Sequence, residues 1–213
     1  MTHADDDGLV VPPKVAPTHV VILPVTPKEE TRTQVLEACD QLSKELRNHE
    51  FAGGSIRVEI DDRDLRGGEK YWSWVKKGIP VTIEIGPRDL ENGTVFVGRR
   101  DHGSKREGME RQALVDGVTN ILEEIQSNLF ARALAFREEN TVTIDSKEEL
   151  YAYFTPQNKS KPEMHGGFAL VHWDRDPQWE EQLKNDLKVT VRCIPEDSGE
   201  PGTCIFSGNE SPG

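Results

Sequence analysis

His19-Val-Val-Ile-Leu-Pro-Val25 is a short, nearly continuous apolar run rich in branched residues, and its reading decides the fold. A strand with one wet face alternates, whereas an unbroken apolar strand is covered on both faces, as in a parallel sheet with helices above and below. The residues that follow agree. Thr31 is placed to cap a helix, and Val35, Ala38/Cys39, Leu42 and Leu46 recur at the spacing that puts them on one face. Gly53-Gly54 breaks the chain, after which Ser55-Ile-Arg-Val-Glu-Ile60 alternates as a half-buried strand. Strand, helix, strand is a right-handed crossover unit whose natural product is a parallel pair. The pattern continues with a short helix from Glu69 to Lys77 ended by Gly78 and Pro80, strands from Val81 to Ile85 and Thr94 to Arg100, and a long helix from Gln112 to Phe136. Its apolar stripe runs Leu114, Val118, Ile121/Leu122, Ile125, Leu129, Ala133 and Phe136, so it packs across the sheet. The expectation is a three-layer α/β domain over residues 18–138, closed by the long helix.

Upstream, Val10-Val-Pro-Pro-Lys-Val-Ala-Pro17 cannot be helical and reads as an extended linker, so residues 1–17 stand apart from that domain. Downstream of Glu139 the elements shorten. Ser146 caps a helix over Glu148 to Phe154, a polar loop runs from Thr155 to Gly167, and Phe168 to Trp173 reads as a strand. A helix from Pro177 to Leu187, a strand from Val189 to Ile194 and a Gly/Pro/Ser-rich tail from Glu196 complete a second, smaller α/β unit over residues 139–213.

The composition excludes several classes of function. With 213 residues and 35% apolar content, the chain can form one or two packed domains. No apolar run approaches the roughly 20 residues of a membrane helix, and the acidic start has none of a signal peptide's character, so the expected location is the cytoplasm. Cys39, Cys193 and Cys204 are too few for a disulfide framework and lack CxxC spacing. The net charge of -12 opposes indiscriminate binding to phosphates, yet residues 66–111 carry ten Lys/Arg against seven Asp/Glu, a local excess of +3. That pattern suits a protein that binds one nucleic acid in one place; on charge alone it is equally that of a solvated surface.

Candidate chemistry is sparse. Asp61-Asp62-Arg63-Asp64 stands at a strand's carboxyl end, where α/β sheets place ligand contacts. It reads either as a carboxylate site for a metal or proton, or as a fastening in which Asp62 pairs with Arg63, and the second reading is preferred because no second acidic cluster or histidine accompanies it. Gly67-Gly68-Glu69-Lys70 lacks the spacing of a phosphate-cradling loop. No zinc spacing and no nucleophile motif is present, so the chain by itself does not read as an enzyme. What remains is Tyr71-Trp-Ser-Trp-Val-Lys-Lys-Gly-Ile-Pro80, aromatics followed by lysines, the pairing that stacks unpaired bases and neutralises phosphates. Trp74 is expected in the core; Tyr71 and Trp72 fit either role.

Taken in order, Pro12-Pro13-x-Val-Ala-Pro17, the strand at Val20, Asp61-Asp62-Arg63-Asp64, Lys70-Tyr71-x-x-Trp74, Lys77-Gly78-Ile79-Pro80 and Glu84-Ile85-Gly86-Pro87-Arg88-Asp89 closely resemble prolyl-tRNA synthetases of the archaeal/eukaryotic-like type. Arg99-Arg100-Asp101, the helix ending Leu129-Phe-Ala-Arg-Ala-Leu-Ala-Phe-Arg137, and Val191-Arg-Cys-Ile-Pro195 extend the likeness over nearly the whole chain. The resemblance implies a class II anticodon-binding domain with a mixed sheet, followed by the C-terminal domain of that synthetase type. It implies that Thr2 to Leu9 leave a catalytic core lying upstream of Met1, where ATP and magnesium would be used to activate proline, and that the chain also continues beyond Gly213. The implied partner is tRNA(Pro), and the implied parent enzyme is a homodimer.

Carried over by position, the resemblance makes Tyr71 the base-stacking aromatic, Arg88 a basic anticodon contact and Lys105 a further lysine contact; Lys77 joins them as a cation on the aromatic helix. Two departures stand out, since Val75 and Thr82 replace the usual glutamate and arginine, a carboxylate and a guanidinium suited to guanine, so other groups must read the base edges. In the C-terminal domain, relatives often hold zinc through four cysteines, whereas here Trp173 and Trp179 stand near the first two positions, Cys204 remains and Ser207 takes the last. One thiolate cannot hold tetrahedral zinc, so a metal-free domain packed by tryptophans is expected. Cys193 lies outside that set and is expected to be a small buried hydrophobe. The alternative to tRNA recognition is a non-catalytic interaction or dimerisation module built on the same fold.

Overall fold

The computed structural model describes residues 2–26, 29–103, 105–158, 160, 167–196 and 199–212. Two units divide the chain, Met1–Ala133 and Leu134–Gly213. In the first, β1 (Val20–Pro24) is buried at every position, as the unbroken apolar run requires. The chain continues through α1 (Glu29–Arg47), β2 (Glu50–Phe51), β3 (Gly54–Ser55), β4 (Val58–Ile60), α2 (Gly67–Lys77), β5 (Val81–Ile85), α3 (Pro87–Asn92), β6 (Thr94–Arg99), β7 (Arg106–Glu110) and α4 (Arg111–Glu139). The five-stranded sheet has the order β4-β1-β5-β6-β7. β1 lies parallel to β4 and β5, while β6 and β7 are added antiparallel, so the sheet is mixed as expected.

Side-chain alternation along β1 separates two cores. Val20 and Ile22 pack with Val35, Cys39, Leu42 and Leu46 of α1 and with Leu114, Val118, Leu122, Ile125 and Leu129 of α4. Val21 and Leu23 point the other way and pack with Tyr71, Trp74 and Val75 of α2 and with Ile79. Three layers result, each buried aliphatic side chain contributing roughly 1.5–3 kcal/mol. The buried stripe of α4 stops at Leu129, and Phe136, expected to continue it, is 64% exposed.

The strand expected from Ser55 is split. Ala52 and Gly53 both have positive φ, 52° and 84°, so the chain turns tightly and Gly54–Ser55 pair back onto Glu50–Phe51. Only Val58–Ile60 reaches the main sheet, with Val20 opposite Val58. The sequence also gave no sign of α3 or β7. The first is six residues long, too short to show a period, and the second is an edge strand whose residues are mostly exposed.

The proline-rich segment is extended on either side of a single 3-10 turn at Pro13–Val15, which corrects the reading that it cannot be helical. Proline is tolerated in a first turn, where its missing N–H has no partner to lose. The segment is also fastened to this unit. Leu9 N–H donates to the Lys76 carbonyl (3.2 Å) and Val11 N–H to the Gly78 carbonyl (3.1 Å). Arg100, buried, donates through Nε to the Leu9 carbonyl at 3.0 Å and through Nη1 to the Asp5 carboxylate at 2.6 Å. Gly78 has φ +77°, and a Cβ there would lie 2.8 Å from the Leu9 carbonyl. Only glycine lets the two backbones meet so closely.

In the second unit β8 (Thr141–Thr143) runs parallel to β9 (Phe168–Leu170), with α5 (Lys147–Phe154) between them in sequence. The Ser146 hydroxyl accepts from the Glu149 amide, the cap read from the sequence, and Asp176 likewise caps α6 (Pro177–Leu187). Ile144, Leu150 and Leu183 form the buried centre. Residues 189–194, expected as a strand, form none; the tail instead holds a hairpin of β10 (Gly202–Thr203) and β11 (Glu210–Ser211). Cys193, expected to be buried, is exposed, because no sheet partner covers this stretch among the described residues. Part of the expected polar loop, residues 159 and 161–166, lies outside the described residues.

Candidate nucleic-acid interface

The aromatic helix α2 is fixed at the carboxyl end of β4 by one carboxylate. Asp61 accepts from Arg63 Nε (2.7 Å) and Nη2 (2.6 Å) and from Trp74 Nε1 (2.8 Å), while Lys70 Nζ reaches the Asp61 carbonyl at 3.0 Å. The Arg63 hydrogen bonds hold the Asp61 carboxyl at a pKa of about 2, outweighing the burial that opposes ionisation. The fastening reading is therefore right in kind, but the partner of Arg63 is buried Asp61, not Asp62, which is exposed. The packing of α2 explains the correction: Asp61 has the parity of Glu59, opposite to the core-facing Val58 and Ile60, and on that side Trp74 and Lys70 of α2 reach it. Among the described residues no group of three or more His, Cys, Asp or Glu is arranged to hold a metal.

Beyond α2, the sheet presents two short rows of side chains on the α2 side. Val81, Ile83, Ile85, Val95 and Val97 belong to the opposite core, so Thr82, Glu84, Phe96 and Gly98 face α2. Thr82, Gly98 and Arg106 lie in one cross-strand row, and Glu84, Phe96 and Gly108 in the next. The Arg106 guanidinium carbon sits 4.4 Å above the Tyr71 ring, and its Nη1 donates to the Glu84 carboxylate. Tyr71 is only 5% exposed, and burial raises its hydroxyl pKa, offset in part by Arg106. The ring expected to stack on a base is thus roofed by an arginine, whereas Trp72 and Phe96 are open at 42% and 39%. Trp74 is buried as expected, with Lys77 Nζ 3.9 Å from its ring centroid.

The four expected contact residues are not gathered at one point. Lys105 is exposed at the entry to β7, adjacent in sequence to Arg106. Lys77, also exposed, precedes β5, while exposed Arg88 stands in the first turn of α3 just past the carboxyl end of β5. A five-residue strand spans about 17 Å, so Lys77 and Arg88 stand near opposite ends of β5, and α3 packs through Leu90 on the α1 side of the sheet. Val75 and Thr82 are both buried, and the Thr82 hydroxyl lies 3.5 Å from the Gly98 carbonyl. Sequence reasoning missed Glu84, Phe96 and Arg106. The alternation Val95-Phe96-Val97 carried the signal for Phe96, since a strand with valines inward must turn its phenylalanine outward.

In the second unit, the positions compared with zinc ligands are occupied by other contacts. The Trp179 ring stacks on Phe206 at 5.5 Å and 15°, Trp173 Nε1 donates to the Asp176 carbonyl at 3.1 Å, and the Ser207 hydroxyl donates to Asp174. The Cys204 thiol is buried nearby in sequence.

Residues 19–121 match the family model described as an anticodon binding domain, which defines the class to which the first unit belongs. Residues 158–212 match the model described as prolyl-tRNA synthetase, C-terminal. The chain belongs to the prolyl-tRNA synthetase family, as an anticodon-binding domain followed by that C-terminal domain. A protein named proline-tRNA ligase 2 from Anaeromyxobacter dehalogenans is 52% identical over 217 residues, which cover 100% of this chain and 42% of the relative. Proteins named proline-tRNA ligase from Protochlamydia amoebophila and Bdellovibrio bacteriovorus are 47% and 49% identical, over 99% and 98% of this chain and 42% and 41% of their own lengths. The chain therefore spans about two fifths of the curated relatives it matches. No helix among the described residues is long and apolar enough to cross a membrane.

Proposed function

We propose that this chain recognises the anticodon of tRNA(Pro) for a proline-tRNA ligase, a cytoplasmic homodimer that activates proline with ATP and magnesium and transfers it to the tRNA. The observation that carries the reading is the succession of an anticodon-binding domain and a prolyl-tRNA synthetase C-terminal domain in one chain, matched end to end by proteins named for that ligase. ATP, magnesium and the chemical step are assigned to the part of the parent enzyme outside these residues, and no catalytic role is given to any side chain here. The described residues supply binding.

In this reading Arg88, Lys77 and Lys105 neutralise phosphates along an unpaired loop, and Tyr71 supports the base-facing surface from beneath Arg106. The spacing of Lys77 and Arg88, near opposite ends of β5, supports it: phosphates along a single strand lie several ångströms apart, so separated cations follow a backbone better than a cluster would. The second unit is assigned a packing role without zinc, its tryptophans standing where relatives often place thiolates.

Arg88→Ala is expected to weaken binding of the proline anticodon stem-loop about five- to tenfold, and to reduce the slope of log affinity against log salt by about one. Unchanged affinity and slope would remove Arg88 from the interface. Binding by the intact chain that is absent, or indifferent to salt, would favour a protein-interaction module on the same fold.

A further inference from the structure

The sheet face beside α2 has the hydrogen-bonding pattern of a base reader. Phe96 is 39% exposed at the centre of the face, and its row neighbour Gly108 carries no side chain to cover it: a Cβ there would touch only Phe96 Cδ2, at 3.9 Å. The Arg106 stem crosses Gly98 so closely that a Cβ on Gly98 would come within 3.1 Å of Arg106 Cγ and 2.6 Å of Thr82 Oγ1. Gly98 thus lets the arginine lie along the sheet, its guanidinium 4.4 Å from the Tyr71 ring centroid and 5.8 Å from that of Phe96. Nη1 is held by Glu84, whose side chain retains 20% exposure against 34% for Arg106. An arginine held between two rings and a carboxylate keeps one donor position while its remaining N–H groups stay available.

We infer that Phe96, Arg106 and Glu84 together bind one guanine of an unpaired RNA loop. Phe96 stacks on the base, Arg106 donates to O6, and the Glu84 carboxylate accepts from N1–H and the 2-amino group. The donor and acceptor stand side by side on the protein, as O6 and N1–H do on guanine. Adenine places a bare N1 against the carboxylate and has no 2-amino group, so it loses both donors. Uracil and cytosine present less surface for stacking on Phe96. The inference rests on the anticodon-binding reading and names the side chains that would supply its specificity.

The test uses the full chain and fluorescently labelled stem-loop RNAs carrying a proline anticodon, with each guanine replaced in turn by inosine, which lacks the 2-amino group, or by adenine. Wild type is expected to bind the guanine loop at least tenfold more tightly than the loop altered at the recognised position. Phe96→Ala is expected to weaken all loops about tenfold, and Glu84→Gln to bring guanine and inosine to near parity at that one position. Both side chains are partly exposed, so thermal melts of both variants should match wild type; Arg106→Lys, which keeps charge and loses the fork, provides the third measurement. If wild type binds and discriminates while Phe96→Ala and Glu84→Gln behave identically to it, the assignment of these side chains is overturned and the anticodon reading stands. If wild type binds none of the loops, both fall.

Discussion

His19 is wholly buried at the entrance to β1, and its environment accepts only the neutral ring. Its Nδ1 accepts the Arg57 amide hydrogen at 3.1 Å and the Arg57 guanidinium lies 2.6 Å from Nε2, so a second ring proton would meet a donor at either nitrogen. Phe51 closes a further side edge-on, at 5.2 Å. Burial first, then the Arg57 charge, push the pKa from 6.5 down to about 4. The sign follows directly. Below pH 6.5 the unfolded chain takes up the proton and the folded one does not, so the stabilisation from neutral His19 is present above pH 6.5 and is lost as pH falls towards 4. Linkage with these two values gives a loss of about 2 kcal/mol between pH 7 and pH 5. Urea unfolding followed by tryptophan fluorescence at both pH values measures it. His19→Asn, whose Oδ1 can take the place of Nδ1 as acceptor, should be less stable at pH 7 and should show almost no change between pH 7 and 5. The carboxylates whose pKa values are lowered, Asp5, Glu45, Asp61, Asp101, Asp174 and Asp186, lose their contributions chiefly at more acidic pH and leave this window largely clear. Equal losses in wild type and His19→Asn would refute the reasoning.

Asp61→Asn keeps an acceptor for Trp74 but removes the charge that holds Arg63, and should cost about 2 kcal/mol in urea unfolding at pH 7. Because the folded pKa is about 2 against 3.8 unfolded, wild type should lose this advantage as pH falls from 4 through 2, and the variant has none to lose. Gly78→Ala combines a left-handed backbone at φ +77° with a Cβ 2.8 Å from the Leu9 carbonyl, and is expected to destabilise by about 2–3 kcal/mol. Gly93→Ala, at φ +66° with nothing within 4 Å, is the control and should cost only about 1 kcal/mol. Comparable melting temperatures for the two variants would show that the close approach of Leu9 contributes nothing.

The centre of the first unit was legible because its strands are buried on both faces: β1 betrays itself by an unbroken apolar run, and α4 by a stripe that repeats from Leu114 to Leu129. Legibility fades towards the edge of the sheet. Arg106-Glu-Gly-Met-Glu110 buries little besides Met109, so β7 has no pattern to read although it supplies the arginine above Tyr71. Conversely, Val189, Val191 and Cys193 alternate like a strand and join no sheet, because alternation states what a strand would bury and not whether a neighbour is there to pair with it. The turn at Ala52 was hidden for a different reason, alanine being an uncommon occupant of positive φ. As for the site, Tyr71 and Trp72 were visible as aromatics, but which ring is roofed depends on Arg106, 35 positions further along the chain. Such a contact is set by sheet register, which local spacing does not encode.

The final carbonyls of α2 are finished by a segment from far upstream, since those of Lys76 and Gly78 receive the amides of Leu9 and Val11. These are main-chain bonds, indifferent to side-chain identity, so residues 9–11 behave like a zip that tolerates many spellings. A nick that releases the zip would strip this helix end of its partners and let it fray. Arg100, clasping Asp5 and Leu9 from just beyond β6, would be freed by the same cut, loosening the sheet face two residues from Gly98.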